Sequence, residues 1–282
     1  SLWRTGEIHL VRPDIYHELN EAIHYLRDLF PASLNRLDLH FTEAWRDAGF
    51  PLEKLREAGN IPRLSFGTWI GGDRDGHPLV TPEVTERSLE LLRGAALELL
   101  HREITNLASI LTLSTHHNEV PEELEDRIEE LGLSLRDEAI VSELEHKVGQ
   151  EPWRHLASLM AARLKSQSSG SPGYSSPEAL GRDLELISDS IIANGCSLIE
   201  EQHIRPLRHK LEIFGFHLAA LEIRQNSDFH DRAISQLLVA AGVEGGADYP
   251  DWREEKRVEF LTEELQSTRP FLHDSLDSGK EA

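Results

Sequence analysis

Two arginines stand where an anion could be gripped. Arg74 lies in Gly71-Gly72-Asp73-Arg74-Asp75-Gly76, directly after the apolar run Leu64-Ser65-Phe66-Gly67-Thr68-Trp69-Ile70. Far downstream, Arg224 opens Arg224-Gln225-Asn226-Ser227, directly after Phe214-Gly215-Phe216-His217-Leu218-Ala219-Ala220-Leu221-Glu222-Ile223. A guanidinium is planar and donates two parallel hydrogen bonds, which suits a phosphate or a carboxylate. Each arginine ends a short apolar segment set between long helical patterns. That grammar predicts buried parallel strands over 64–70 and 214–223, with carboxyl ends that open on a site. In barrel and open α/β enzymes the chemistry sits at that end.

Blander readings stand beside this one. Arg74 can pair with Asp73 and Asp75 in a tight turn, and Arg224 with Glu222 or Asp228; Glu222 and Arg224, two apart on a strand, share a face. A calcium loop fails, because aligning Gly76 with the required glycine puts Gly71 first and Pro82 last, where oxygen ligands are needed. A phosphate loop of Gly-Lys-Ser/Thr type is absent. Of the 15 histidines, His17-Glu18 lacks the second histidine of a zinc helix. His116-His117 reads as a helix end, and His155, His203 and His209 are isolated on helical patterns. The expected metal set is none.

Composition narrows the partners. With 29 basic and 50 acidic residues the net charge is −21, which argues against nucleic acid and anionic membranes as partners. An apolar fraction of 39% and a charged fraction of 28% describe an ordinary globular protein of 282 residues. No run reaches the ~18 apolar residues of a membrane span. The single cysteine, Cys196, rules out an internal disulfide, fits a reducing cytoplasm and reads as a packed thiol. Ser1-Leu2-Trp3-Arg4-Thr5 lacks an initiator methionine, and Met160 is the sole methionine. The expectation is a piece excised from something longer.

The elements that must position the arginines are mostly helical by period. Helices are predicted over about 14–29, 81–111, 121–131, 136–148, 152–165, 177–191, 197–213, 227–241 and 252–265. Thr81-Pro82-Glu83 and Ser176-Pro177-Glu178 carry cap, proline and acid in the order a helix start needs. Ser166-Gln167-Ser168-Ser169-Gly170-Ser171-Pro172-Gly173 predicts a flexible surface loop over 166–176. Two buried-type strands cannot close a sheet. Further strands must lie unseen in this chain or in chain beyond it.

At the two arginine segments the chain resembles the phosphoenolpyruvate carboxylase family. That family carries Phe-x-Ser-Trp-Met-Gly-Gly-Asp-Arg-Asp-Gly-Asn-Pro-x-Val-Thr, which stands here from Phe66 through Trp69, Gly71, Gly72, Asp73, Arg74, Asp75 and Gly76 to Thr81. Its Asp-Ile-Arg-Gln-Glu-Ser stretch appears as Glu222-Ile223-Arg224-Gln225-Asn226-Ser227. The likeness extends to Leu2-Trp3-Arg4-Thr5-Gly6-Glu7-Ile8, Arg12-Pro13, Ile191-Ile192-Ala193-Asn194-Gly195 and Leu265-Gln266-Ser267-Thr268-Arg269-Pro270. His77, Asn226 and Ile70 depart from the family's asparagine, glutamate and methionine.

The resemblance implies a lyase that makes oxaloacetate and phosphate from phosphoenolpyruvate and bicarbonate, using magnesium or manganese, in a cytoplasmic homotetramer. It implies a (β/α)8 barrel smothered in helices. By the motif match, Arg224 would bind phosphate, Trp69 would line a carbon dioxide pocket, and Arg74 with Asp73, Asp75 and Gly71, Gly72, Gly76 would shape the loop beside it. The family's Thr-His-Pro-Thr-Glu and Phe-His-Gly-Arg-Gly stretches and its metal-binding acids do not occur in this chain. The expected whole is therefore one internal fragment over 1–282, mostly α, with two or three parallel strands of an incomplete barrel, inactive alone. The alternative is a helical interaction or regulatory protein that keeps the motifs as structural turns.

Overall fold

The computed structural model describes residues 14–56, 64–75, 79–135, 138–168 and 173–267. It divides into two compact units, residues 1–71 with 83–221, and residues 72–82 with 222–282.

The first unit opens with helix α1 (Ile15–His24), whose start is capped where Asp14 Oδ1 accepts the His17 N–H at 2.7 Å. A π-turn over Tyr25–Leu29 follows, and α2 (Phe30–Asp47) continues without a break. The helix expected to stop near Leu29 thus runs 18 residues further. Pro31 explains the local change of winding. It has no N–H to donate to the carbonyl four residues back, Arg27 O, and its ring crowds that group. Arg102 Nη2 donates to Arg27 O instead, at 2.9 Å. The second π-turn, Glu200–Ile204, also ends two residues before a proline, Pro206.

The remaining helices of this unit are α3 (Leu52–Arg56), α4 (Pro82–Ile110), α5 (Glu122–Ser134), α6 (Glu138–Val148), α7 (Pro152–Ser168), α8 (Pro177–Ala193), α9 (Ser197–Ile199) and α10 (Arg205–Phe214). At 29 residues α4 is about 43 Å long and serves two cores. Its first half sends Leu92, Ala96 and Leu99 against Leu19 and Ile23 of α1, Leu34 of α2 and Phe214 of α10. Its second half sends Leu100, Ile104 and Leu107, joined by Leu111 just past its end, into a larger cluster with Leu124, Leu131, Trp153, Leu156, Met160, Leu184 and Ile187. Burial of such side chains stabilises by about 1.5–3 kcal/mol each, before conformational entropy opposes it.

Helix α7 runs through Ser168, three residues into the segment expected as loop, and Tyr174 is buried with its hydroxyl donating to Asp183 Oδ2 at 2.7 Å. Residues 169–172 of that segment lie outside the described residues. Ser176 caps α8 as its Ser-Pro-Glu start predicts, accepting from Ala179 N.

Two strands pair in parallel, β1 (Gly67–Thr68) with β2 (Ala220–Leu221). Both are far shorter than their apolar runs suggested. The downstream run begins inside α10, which ends at Phe214, and then turns: Leu218 N donates to Phe214 O at 2.8 Å, with Leu218 at φ +62°. Its aromatics pack rather than extend. Phe66 stacks on Phe214 at 5.5 Å and on Phe30 at 5.2 Å.

The second unit contains α11 (Ser227–Ala240), a 3₁₀ turn over Gly246–Asp251 and α12 (Glu254–Gln266). Leu238 and Tyr249 are its buried anchors. Arg257 of α12 ties it together, lying 4.9 Å from the Tyr249 ring centre and donating to Asp231 of α11 at 3.0 Å. Among the described residues no helix is long and apolar enough to cross a membrane.

Candidate functional site

The glycine-rich loop leaves the first unit at Gly71, where φ is +87°, a conformation that suits glycine. A side chain would also collide there, since an added Cβ would fall 2.1 Å from Ser88 Oγ. Thr85 Oγ1 donates to Gly71 O at 2.8 Å, a buried bond. Ser88, fully buried, donates back to Val84 O at 2.7 Å. Thr85 therefore pins the turn that launches the loop by a hydrogen bond, and Ser88 fills the space beside it. Sequence reasoning missed both. The available signal was a Thr and a Ser three apart on the inward face of a helix that follows Gly-Gly.

Trp69 belongs to the first unit and sits just past β1, 52% exposed. Ile70 N donates to Thr68 Oγ1 at 3.2 Å, which turns the chain away from the ladder.

In the second unit the backbones of the two arginine segments meet. Asp73 and Arg224 form a parallel bridge. Arg224 N donates to Gly72 O at 3.0 Å, and Arg74 N donates to Arg224 O at 2.8 Å. The register sets Arg224 against Asp73 and places Arg74 one residue beyond, on the alternate side of the pleat. Burial agrees, since Arg74 is half-buried and Arg224 exposed. Within the loop, Asp73 Oδ1 accepts the Asp75 N–H at 3.2 Å, an Asx turn that rounds the chain after Arg74. Gly76 and His77 lie outside the described residues.

The local ion pair weighed for Arg224 is present. Its Nη2 and Nε donate to Glu222 Oε2 at 2.7 and 3.2 Å, with both side chains about half exposed. Next along the chain, Asn226 caps α11 by accepting the Asp228 N–H at 2.8 Å. A short amide is well suited to that cap, which gives the departure at this position a structural use.

The histidines and the cysteine go elsewhere. His209 Nδ1 lies 2.7 Å from Asp38 Oδ2, joining α10 to α2 inside the first unit. His155 is buried on α7 with Nε2 lacking a hydrogen-bond partner, and burial pulls its pKa down. His116 and His117 occupy a turn after α4. Cys196 is half-buried, with Sγ 3.7 Å from Asn194 O. Among the described residues no three His, Cys, Asp or Glu side chains are grouped to hold a metal ion.

Comparison with known proteins bears on the whole length. The family model described as phosphoenolpyruvate carboxylase matches residues 1–282. The chain is 32% identical over 290 residues to phosphoenolpyruvate carboxylase of Nocardia farcinica, covering 96% of this chain and 29% of that protein. It is 32% identical over 292 residues to that of Nostoc, covering 97% of this chain and 27% of the relative. Against that of Roseiflexus castenholzii it is 30% identical, covering 98% and 30%. It thus spans less than a third of the length of these curated relatives.

Proposed function

The chain belongs to the phosphoenolpyruvate carboxylase family, and from that premise we propose that it supplies part of the active site of a larger carboxylase. The reaction joins phosphoenolpyruvate to bicarbonate and yields oxaloacetate and inorganic phosphate. Bicarbonate oxygen attacks the phosphoryl group, so the enol oxygen leaves as an enolate and carboxyphosphate forms. Carboxyphosphate then breaks to carbon dioxide and phosphate, and the enolate carbon takes up the carbon dioxide.

Arg224 grips the phosphoryl oxygens in this reading. The supporting observation is its placement, an exposed guanidinium at the carboxyl end of a parallel pairing, with its backbone fixed by two hydrogen bonds. Its carboxylate partner is a surface neighbour two residues away, a kind of pair worth at most about 1 kcal/mol. A phosphate dianion can therefore replace Glu222 at small cost and receive the same two N–H groups. Trp69 gives an exposed apolar ring to carbon dioxide. Arg74, Asp73 and Asp75, with Gly71 and Gly72, hold the loop's shape.

Magnesium or manganese is the family's expected metal. Among the described residues no ligand set for it is grouped. The barrel is completed by strands other than β1 and β2, and the chain alone is inactive in this reading. In the full-length enzyme, Arg224→Ala is expected to lower kcat/KM for phosphoenolpyruvate by roughly 10²-fold, with Lys recovering part of the loss. Unaltered kinetics in the alanine variant would remove Arg224 from the reaction.

A further inference from the structure

We propose that Thr85 of α4 is a positioning residue for Trp69, and through it sets how much of the released carbon dioxide is captured as oxaloacetate. This role rests on the carboxylase reading of Trp69 given above. Thr85 and Trp69 both belong to the first unit. The hydroxyls of Ser88, Thr105 and Ser158 donate to carbonyls of their own helices, Val84 O, His101 O and Arg154 O. The hydroxyl of buried Thr85 reaches Gly71 O, 14 residues earlier, at 2.8 Å.

Trp69 stands between two fixed points. On its amino side, Thr68 is buried and pairs with Leu221 in the parallel ladder, and its Oγ1 accepts the Ile70 N–H at 3.2 Å. On its carboxyl side, Ile70 packs against the cluster of Leu19, Leu92 and Phe214, and Gly71 presses on α4. Ser88 leaves no room for a side chain at position 71, so glycine is required there. Glycine is also the residue whose backbone is least restrained. The Thr85 bond removes that freedom. It holds Gly71 at φ +87°, and with it the turn that presents the half-exposed Trp69 ring.

Carbon dioxide carries no charge for an ion pair to grip, so its retention depends on apolar surface held in place. A displacement of about 1 Å can cost ~10²-fold in such a step. When carboxyphosphate breaks, the enolate carbon has two fates. Its electron pair bonds to the carbon of carbon dioxide, whose C=O pair moves onto oxygen as the new carboxylate, and oxaloacetate forms. Where carbon dioxide has escaped, the same pair takes a proton from water, leaving hydroxide, and pyruvate forms. Phosphate is released on either route. The ratio of oxaloacetate to phosphate therefore follows the placement of Trp69, and it does not change with the fraction of enzyme that is folded.

The test uses the full-length enzyme, with oxaloacetate trapped as malate as it forms and total phosphate measured in parallel. Thr85→Val keeps the side chain's shape and removes its hydroxyl. Its oxaloacetate yield per phosphate is expected to fall about threefold or more, and Thr85→Ser should restore the parent yield. Thr85→Ala takes the place of the valine variant if that one does not turn over. Trp69→Ala should lower the yield at least as far, and Thr85→Val added to it should lower it no further, because the two act at one point. A parent-like yield without the hydroxyl, beside a low one in Trp69→Ala, overturns the role of Thr85 alone. So does a double variant whose losses multiply, a Thr85→Ser yield as low as that of Thr85→Val, or loss of phosphate release in both hydroxyl-free variants. A parent-like yield in Trp69→Ala overturns the carbon dioxide reading of Trp69, and this role with it.

Discussion

Arg127 and Arg224 each hold a carboxylate with two N–H groups, yet they belong to opposite kinds of environment. Arg127 of α5 donates through Nε and Nη2 to both oxygens of Asp183 on α8, at 2.7 and 3.0 Å, across 56 residues of chain. Asp183 is 4% exposed and also accepts the Tyr174 hydroxyl. The bond to Asp183 raises the Arg127 pKa, and burial raises that of Tyr174 far above the ordinary phenol value. Arg224, by contrast, pairs on the surface with a residue two positions away. A guanidinium committed to a buried carboxylate is spent on the fold. One anchored through its backbone and matched by an exposed neighbour can change partners.

That contrast can be broken most directly at Arg127. Replacing it with Met leaves Asp183 buried with its charge uncompensated, and about 3 kcal/mol of unfolding free energy should be lost. A loss below about 1 kcal/mol, read by urea denaturation, would mean that the buried pair does not differ from a surface one. Gly71→Ala comes next, at about 1–3 kcal/mol, because it combines a positive φ with a Cβ that meets Ser88 Oγ. Adding Ser88→Ala should return only the part due to Oγ, because the Cβ of residue 88 would still lie 2.6 Å from the added one; thermal unfolding of the single and double variants measures that part.

His155 sharpens the comparison from another side, as a buried polar group whose Nε2 has no hydrogen-bond partner. His155→Phe is expected to stabilise by about 1 kcal/mol. Burial lowers its folded pKa, so the unfolded chain binds more protons at mildly acidic pH. The parent's stability should then be complete above the ordinary histidine pKa, ~6.5, and fall as pH drops below it. The variant should show a shallower acid slope in denaturant midpoints taken from pH 7 to 5. Smallest of all is Arg224→Ala in this chain, with a change under about 0.5 kcal/mol. A melting temperature lowered as far as Arg127→Met lowers it would collapse the distinction between the two arginines.

Helix positions were widely legible because their signals are local. Ser-Pro-Glu at 176–178 starts α8 as read, and the apolar spacing of α4 runs the full predicted length. The strands were overread because aromatic and β-branched runs serve packed turns equally well. Phe214 and Phe216 are buried without being extended, and each strand contributes two residues to the ladder. At the candidate site, the residue types of the two arginine segments were visible at once. Thr85 and Ser88 were not, since their role depends on a carbonyl and a glycine that precede the helix in sequence and return to it in space.

The amino-acid sequence by itself determined the helical character, the acidic surface and the family, through period, composition and motif. Tertiary structure decided which arginine pairs with a buried carboxylate and which with an exposed one, and where α2 continues past Pro31. Each of those outcomes depends on groups distant along the chain reaching hydrogen-bond or packing distance. Local propensity carries no information about such encounters; the burial that drives the helices together does.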